Sequence, residues 1–161
     1  MHEPFTNPKT GKREPHPFPV TLKFISEALG QLRAMTIDDD STKDLASSTL
    51  WRGIKDRRFP KDFKRNGHTE MAPMSTTADV KVAMGYSEGA RHERLVIKLQ
   101  TRGFTNYGVS IRFLSVFPGE DERLYPPLTH LKPTGKTGKY VGDDGIKCQF
   151  IECKPEWPTG R

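Results

Sequence analysis

The chain has 161 residues, enough for one domain with a real core, and it is 34% hydrophobic and 29% charged. No window approaches ~18 consecutive apolar residues, which excludes a membrane-spanning helix. With 26 Lys and Arg against 20 Asp and Glu, the formal net charge of +6 favours anionic partners: nucleotide, nucleic acid or an acidic surface.

The first nineteen residues, "MHEPFTNPKTGKREPHPFP", are rich in proline and lack periodicity. They are expected to form a flexible, extended leader, with a single domain over residues 20–161. Charges and prolines stand where a signal peptide would need an apolar run, so a cytoplasmic location is expected. From Val20, "VTLKFISEALGQLRAM" sets Leu22, Ile25, Leu29 and Leu32 at helical spacing, with Phe24 and Ala28 widening the stripe. The spacing predicts one amphipathic core-packing helix, ended by the loop "TIDDDSTKD".

"SSTLWRGI" (47–54) reads as a short strand ending near a glycine. The run "KDRRFPKDFKR" (55–65) is the only dense basic stretch, and two aspartates interrupt it, so it reads as a solvated loop. A second strand is expected over "TEMAPMSTT", with a helix over "ADVKVAMGYS". Thr76 followed by Asp79 resembles a capping box, with Asp in place of the usual Glu. Beyond it, "LVIKL", "SIRFLSVF", "ERLY" and "KCQFIEC" have strand composition, and "KPTGKTGKYVGDDG" reads as a loop or hairpin. One leading helix followed by short strands and turns makes the class α+β around a largely antiparallel core.

The two cysteines, Cys148 and Cys153, are an odd number of residues apart on a predicted strand. They point to opposite faces and cannot bridge, which fits a reducing compartment. With the five histidines they show no metal-ligand spacing, so no metal site is expected.

Three stretches carry possible chemistry: "WRG" (51–53), "MSTT" (74–77) and "GEDE" (119–122). Each alone is a weak signal. An Arg before Gly at a strand end is commonly a surface residue, Ser-Thr-Thr before a helix is commonly a cap, and Glu-x-Glu on a strand edge is commonly a solvated face. In this order, with "FPGE" before the carboxylates and "PP" after them, they resemble the arginine-specific mono-ADP-ribosyltransferases, whose signature is Arg, Ser-Thr-Ser, Glu-x-Glu. The resemblance runs from Leu50 to Leu131.

The resemblance implies a split core of two roughly perpendicular, mainly antiparallel sheets with an N-terminal helix, and NAD as co-substrate without a metal. It implies transfer of ADP-ribose to the arginine of an acceptor protein, with nicotinamide released. Glu122 would stabilise the oxocarbenium-like transition state and hold the ribose, and Glu120 would hold the acceptor guanidinium. Strand alternation would put both carboxylates on one side. Arg52 would meet the NAD pyrophosphate, Gly53 would leave its backbone open to the nicotinamide, and Ser75 would orient Glu122. Thr76 and Thr77 would support the strand end, and Tyr86 and Phe117 would line the pocket.

The chain departs from the family at Thr77, where the signature has Ser, and at Arg123, where an apolar residue is common. Arg123 is expected to snorkel outward, or its strand to pack loosely. The segment before Arg52 offers one helix where the family has a larger helical region. Two other functions fit: an NAD glycohydrolase, in which water replaces arginine, and a basic binding module without turnover. The module is the reading in which nucleic acid would be the partner; the transferase reading disfavours nucleic acid and a membrane.

Overall fold

The computed structural model describes residues 5–7, 9–14, 18–36, 49–54, 62–87, 94–102, 106–141, 145 and 147–158. Two sheets carry the site. A five-stranded sheet has the order β3 (Thr49–Ile54), β6 (Arg94–Gln100), β10 (Lys147–Glu156), β9 (Thr129–Val141), β4 (His68–Glu70). A three-stranded sheet has the order β5 (Met74–Thr76), β8 (Arg123–Tyr125), β7 (Val109–Ser110). All neighbours are antiparallel except β6 and β10, which run parallel. Within the proline-rich start, β1 (Phe5–Thr6) and β2 (Arg13–Glu14) pair antiparallel.

Both faces of the larger sheet carry buried side chains. On one side Leu50, Ile97, Leu99, Leu131, Ile151 and Cys153 pack with Met74 and Tyr125 of the smaller sheet. On the other, Val96 and Cys148 meet Ala83 and Met84 of the short helix α3 (Val80–Gly85). The two cysteines therefore lie buried in separate clusters and do not bridge each other. Glu152 is only 3% exposed. Burial raises its pKa, but the hydroxyl of Thr134 and the ammonium groups of Lys98 and Lys136 outweigh that and hold it below the usual carboxylate value.

The leading helix forms as α1 (Pro19–Thr36), with a narrower apolar stripe than its spacing suggested. Leu29 is buried and Leu22, Ile25 and Leu32 are half-buried, whereas Ala28 is exposed and Phe24 is 65% exposed. Near its end the Arg33 guanidinium stacks 4.1 Å from the Trp157 ring, bringing α1 to the C-terminal side of β10. The loop expected after Thr36 lies outside the described residues, as does the basic run as far as Lys61. The end of that run is not solvated loop: it folds into one turn of helix, α2 (Phe63–Asn66), because Phe63 is an apolar anchor that becomes buried in the core.

Two expectations change, and a third resolves to one of its alternatives. "TEMAPMSTT" is two strands in different sheets, broken at the bend Met71–Ala72 and at Pro73, whose missing N–H cannot extend a ladder. "SIRFLSVF" is not a strand beyond Ser110. The backbone turns, with the Ile111 carbonyl accepting from Leu114 and Ser115, and Phe113, Leu114 and Val116 are left exposed. Of the two alternatives for "KPTGKTGKYVGDDG", loop or hairpin, the hairpin holds: Lys132 to Val141 is strand, paired antiparallel along β10. Its glycines serve the sheet: Gly135 takes φ of +85° near a register shift, and a Cβ on Gly138 would stand 2.7 Å from the Phe150 ring.

Burial pushes the Cys153 thiol up to about 12, and Cys148 is 1% exposed. Cys153 therefore stays a thiol at neutral pH, and burial closes off Cys148. Iodoacetamide at pH 8 is expected to label neither cysteine in the folded protein and both in denaturant, read by intact mass. Rapid native labelling of Cys153 would contradict this packing.

Candidate active site

The site forms where the edges of the two sheets meet. Thr77, the residue after β5, makes one β-bridge with Trp51 of β3: the Trp51 N–H donates to the Thr77 carbonyl at 2.7 Å, and the Thr77 N–H donates to the Trp51 carbonyl at 2.9 Å. This bridge sets Arg52 beside the end of β5, and the Arg52 guanidinium donates to the Ser75 carbonyl at 3.1 Å. Its Nε lies 3.4 Å from Glu70 of β4, an ion pair without hydrogen-bond geometry.

The three hydroxyls of Ser75, Thr76 and Thr77 each hold a different point of the acidic segment. Ser75 donates to the Glu122 carboxylate at 2.5 Å, within the short range of bonds to an ionised acceptor. Thr76 donates to the Arg123 carbonyl at 2.8 Å, and Thr77 to the Glu120 carbonyl at 2.7 Å. Thr77 also accepts the Asp79 N–H at 3.1 Å, and the Asp79 side chain accepts the Lys81 N–H at 2.8 Å. The helix cap is therefore Asp79 with Thr77 behind it, and Thr76 takes no part in a capping box because its hydroxyl is spent on β8.

Glu120 and Glu122 do share one cleft, but strand alternation is not the cause. Pro118–Glu120 is one turn of 3-10 helix, and Asp121 is left-handed at φ 45°. That kink reverses the chain between the carboxylates before β8 begins at Arg123. Arg123 does not snorkel outward and its strand is not loose: it is 8% exposed, its guanidinium lies 4.9 Å from the Tyr107 ring, and Asp121 is 3.5 Å away. The Tyr107 ring and Asp121 offset the charge that would otherwise draw it to water.

On the opposite wall, Gly53 packs directly under α3. A Cβ there would fall 2.0 Å from the Ala83 carbonyl oxygen, so the missing side chain sets the helix against β3. Tyr86, at the end of α3, donates its phenolic hydrogen to Glu120, with oxygens at 3.0 and 3.3 Å. This bond is the main cause that raises the Tyr86 pKa, with slight burial and the charges of Glu120 and Glu122 adding to it.

The resulting open cleft has a volume of about 370 Å³, within the usual range for small-molecule sites. Arg52, Gly53, Ser75, Thr76, Thr77, Tyr86, Glu120 and Glu122 all line it. Phe117 does not: it precedes the 3-10 turn and is 63% exposed. Trp51, Val82 and Ala83 line the cleft without having been singled out, and Glu70 pairs with Arg52 from the adjacent sheet edge. Trp51 carried a signal, since it stands within the Trp-Arg-Gly stretch; Glu70 carried none, because β4 only meets the site through the sheet order. Among the described residues no group of His, Cys, Asp or Glu could hold a metal ion, and no helix is long and apolar enough to cross a membrane.

Two small sheets meeting over a cleft, with a helix at one end, define the ADP-ribosyltransferase fold. The solved ADP-ribosyltransferase HopU1 of Pseudomonas syringae pv. tomato DC3000 superposes with a TM-score of 0.54 at 21% identity, over 95% of this chain and 60% of that one. The model of the NAD:arginine ADP-ribosyltransferase family matches residues 12–144, and the chain belongs to that family. Exoenzyme S of Pseudomonas aeruginosa, solved with human 14-3-3 protein beta and carba-NAD, is more distant, with 14% identity over 81% of this chain and 57% of that one, and a TM-score of 0.47. The C3 exoenzyme of Clostridium limosum has 14% identity over 85% of this chain and 82% of that one, with the same TM-score of 0.47. The chain thus spans about three fifths of the first two of these structures. Comparison with the curated proteins returns no match.

Gly53→Ala is expected to lower stability by about 1–3 kcal/mol, the usual range for overpacking a tight contact. Urea unfolding measures it, and a loss below about 0.5 kcal/mol would mean that α3 does not rest on β3 as described.

Proposed function

We propose that the chain transfers ADP-ribose from NAD to arginine side chains of acceptor proteins. The observation that carries this reading is the 2.5 Å bond from Ser75 to Glu122, in a cleft that also holds Glu120 and Arg52. A lone exposed carboxylate swings through several rotamers. One fixed by a donor is a preorganised negative charge, and that is what a developing cation needs.

In the proposed reaction the bond between nicotinamide and its ribose breaks, and the departing nicotinamide keeps the electron pair and becomes neutral. Positive charge develops on the ribose, where Glu122 offsets it. A terminal nitrogen of the acceptor arginine then forms the new bond and sheds one proton, with Glu120 as the base at hand. Before that step the protonated guanidinium presents a planar fork of donors, for which the Glu120 carboxylate is the natural partner. Arg52 supplies the fixed positive charge for the pyrophosphate, and Glu70 and the Ser75 carbonyl hold its guanidinium at the rim. Thr76 and Thr77 act on the backbone of the acidic segment rather than on NAD. Gly53 supports the site by admitting α3 close to β3.

Labelled NAD incubated with agmatine, an arginine analogue, tests the assignment. Glu122→Gln is expected to reduce both agmatine modification and nicotinamide release by roughly 10²–10³-fold, the scale of losing one electrostatic stabiliser. Glu120→Gln is expected to lose modification of agmatine while some nicotinamide release persists. Nicotinamide release by the unaltered chain without any adduct would make it a glycohydrolase, and no release at all would reject the catalytic reading.

A further inference from the structure

The two carboxylates are not held alike. Glu122 has Ser75, a short side chain on a strand end; Glu120 sits on an exposed turn whose backbone is tied by Thr77 but whose side chain keeps three rotatable bonds. A glutamate so placed loses much rotamer freedom when it grips a ligand. The group that restrains it is the Tyr86 phenol, reaching from the opposite wall to both carboxylate oxygens.

We propose that Tyr86 is the positioning residue of the acceptor subsite: its hydroxyl fixes the Glu120 carboxylate toward Glu122, so that an incoming guanidinium meets a prearranged partner. The inference rests on the reading of Glu120 as the carboxylate that holds the acceptor.

Three observations support it. First, Tyr86 is 58% exposed, so burial does not account for its hydroxyl-to-carboxylate bond. Second, the ring is anchored at its base: the place a Cβ of Gly53 would take is 3.1 Å from the Tyr86 Cβ, and the Tyr86 N–H donates to the Val82 carbonyl. A two-torsion aromatic on a seated helix end is a stiff arm for steering a three-torsion carboxylate. Third, the donor is stable: hydrogen bonding to Glu120 raises the phenol above its ordinary value, so it stays protonated through the neutral and mildly alkaline range. A carboxylate offers about four lone-pair positions, so one phenol leaves room for a guanidinium.

Tyr86→Phe removes the hydroxyl and keeps the ring, and the full chain with NAD and varied agmatine reads the result. The KM for agmatine is expected to rise about tenfold, the lower end for a hydrogen bond to a charged group at an exposed site. The ratio of agmatine adduct to free ADP-ribose is expected to fall by a similar factor, with the melting temperature unchanged. An unchanged ratio, or parallel loss of both products, overturns the proposal. A lower KM overturns it too, since the phenol would then be competing with the acceptor. If the unaltered chain releases nicotinamide but never modifies agmatine, the acceptor reading itself fails and this inference falls with it.

Discussion

The site depends on a comb of three consecutive hydroxyls gripping one acidic segment. Ser75 takes a carboxylate, while Thr76 and Thr77 take backbone carbonyls on either side of it. A single neutral hydrogen bond contributes about 0.5–1.5 kcal/mol net, and one to a charged group about 1.5–3 kcal/mol. None would fix the segment alone. Together they remove its freedom to slide or rotate, because each acts on a different residue. The comb is itself aligned by the Trp51–Thr77 bridge, a single pair of backbone bonds that joins the larger sheet to the smaller. This also explains why Thr can stand at the third position: Thr77 needs only an oxygen that donates to Glu120 and accepts from Asp79, and its extra methyl is buried with it.

Charge is distributed to match. The chain is basic overall, yet the cleft presents Glu120 and Glu122, and its one lining guanidinium, Arg52, is paired at the rim with Glu70. On the proposed reading, an anionic dinucleotide and a cationic acceptor must both be admitted. A site with positive charge on one wall and negative on the other suits that pair better than a uniformly basic surface.

Local pattern in the sequence exposed the helix of residues 20–35, the strand carrying Arg52, and the ordered trio of stretches that the cleft brings together. It failed where backbone geometry or distant partners decided the outcome. "SIRFLSVF" alternates well enough for a strand, but past Ser110 the last ladder bond is Ile111 to the Glu122 carbonyl, after which the chain turns. Gly135 and Gly138 look like loop residues, yet a register shift and an aromatic ring explain them. Glu120 and Glu122 share the cleft through a left-handed Asp121, a backbone conformation that strand alternation does not reveal. Glu70 was invisible because its relation to Arg52 exists only once β4 and β3 are placed at opposite edges of one curled sheet.

β10, the last of the described strands, lies at the centre of the larger sheet, parallel to β6 on one side and antiparallel to β9 on the other. The pairs β3–β6 and β4–β9 can each form without it, but β6 has no ladder to β9 until residues 147–156 arrive. Pairing of this kind across long stretches of chain is slow compared with local helix formation. On a ribosome the two halves of the larger sheet are therefore joined only after residues 147–156 have emerged, whereas the β5–β8 ladder that aligns Ser75 with the acidic segment needs nothing from that strand.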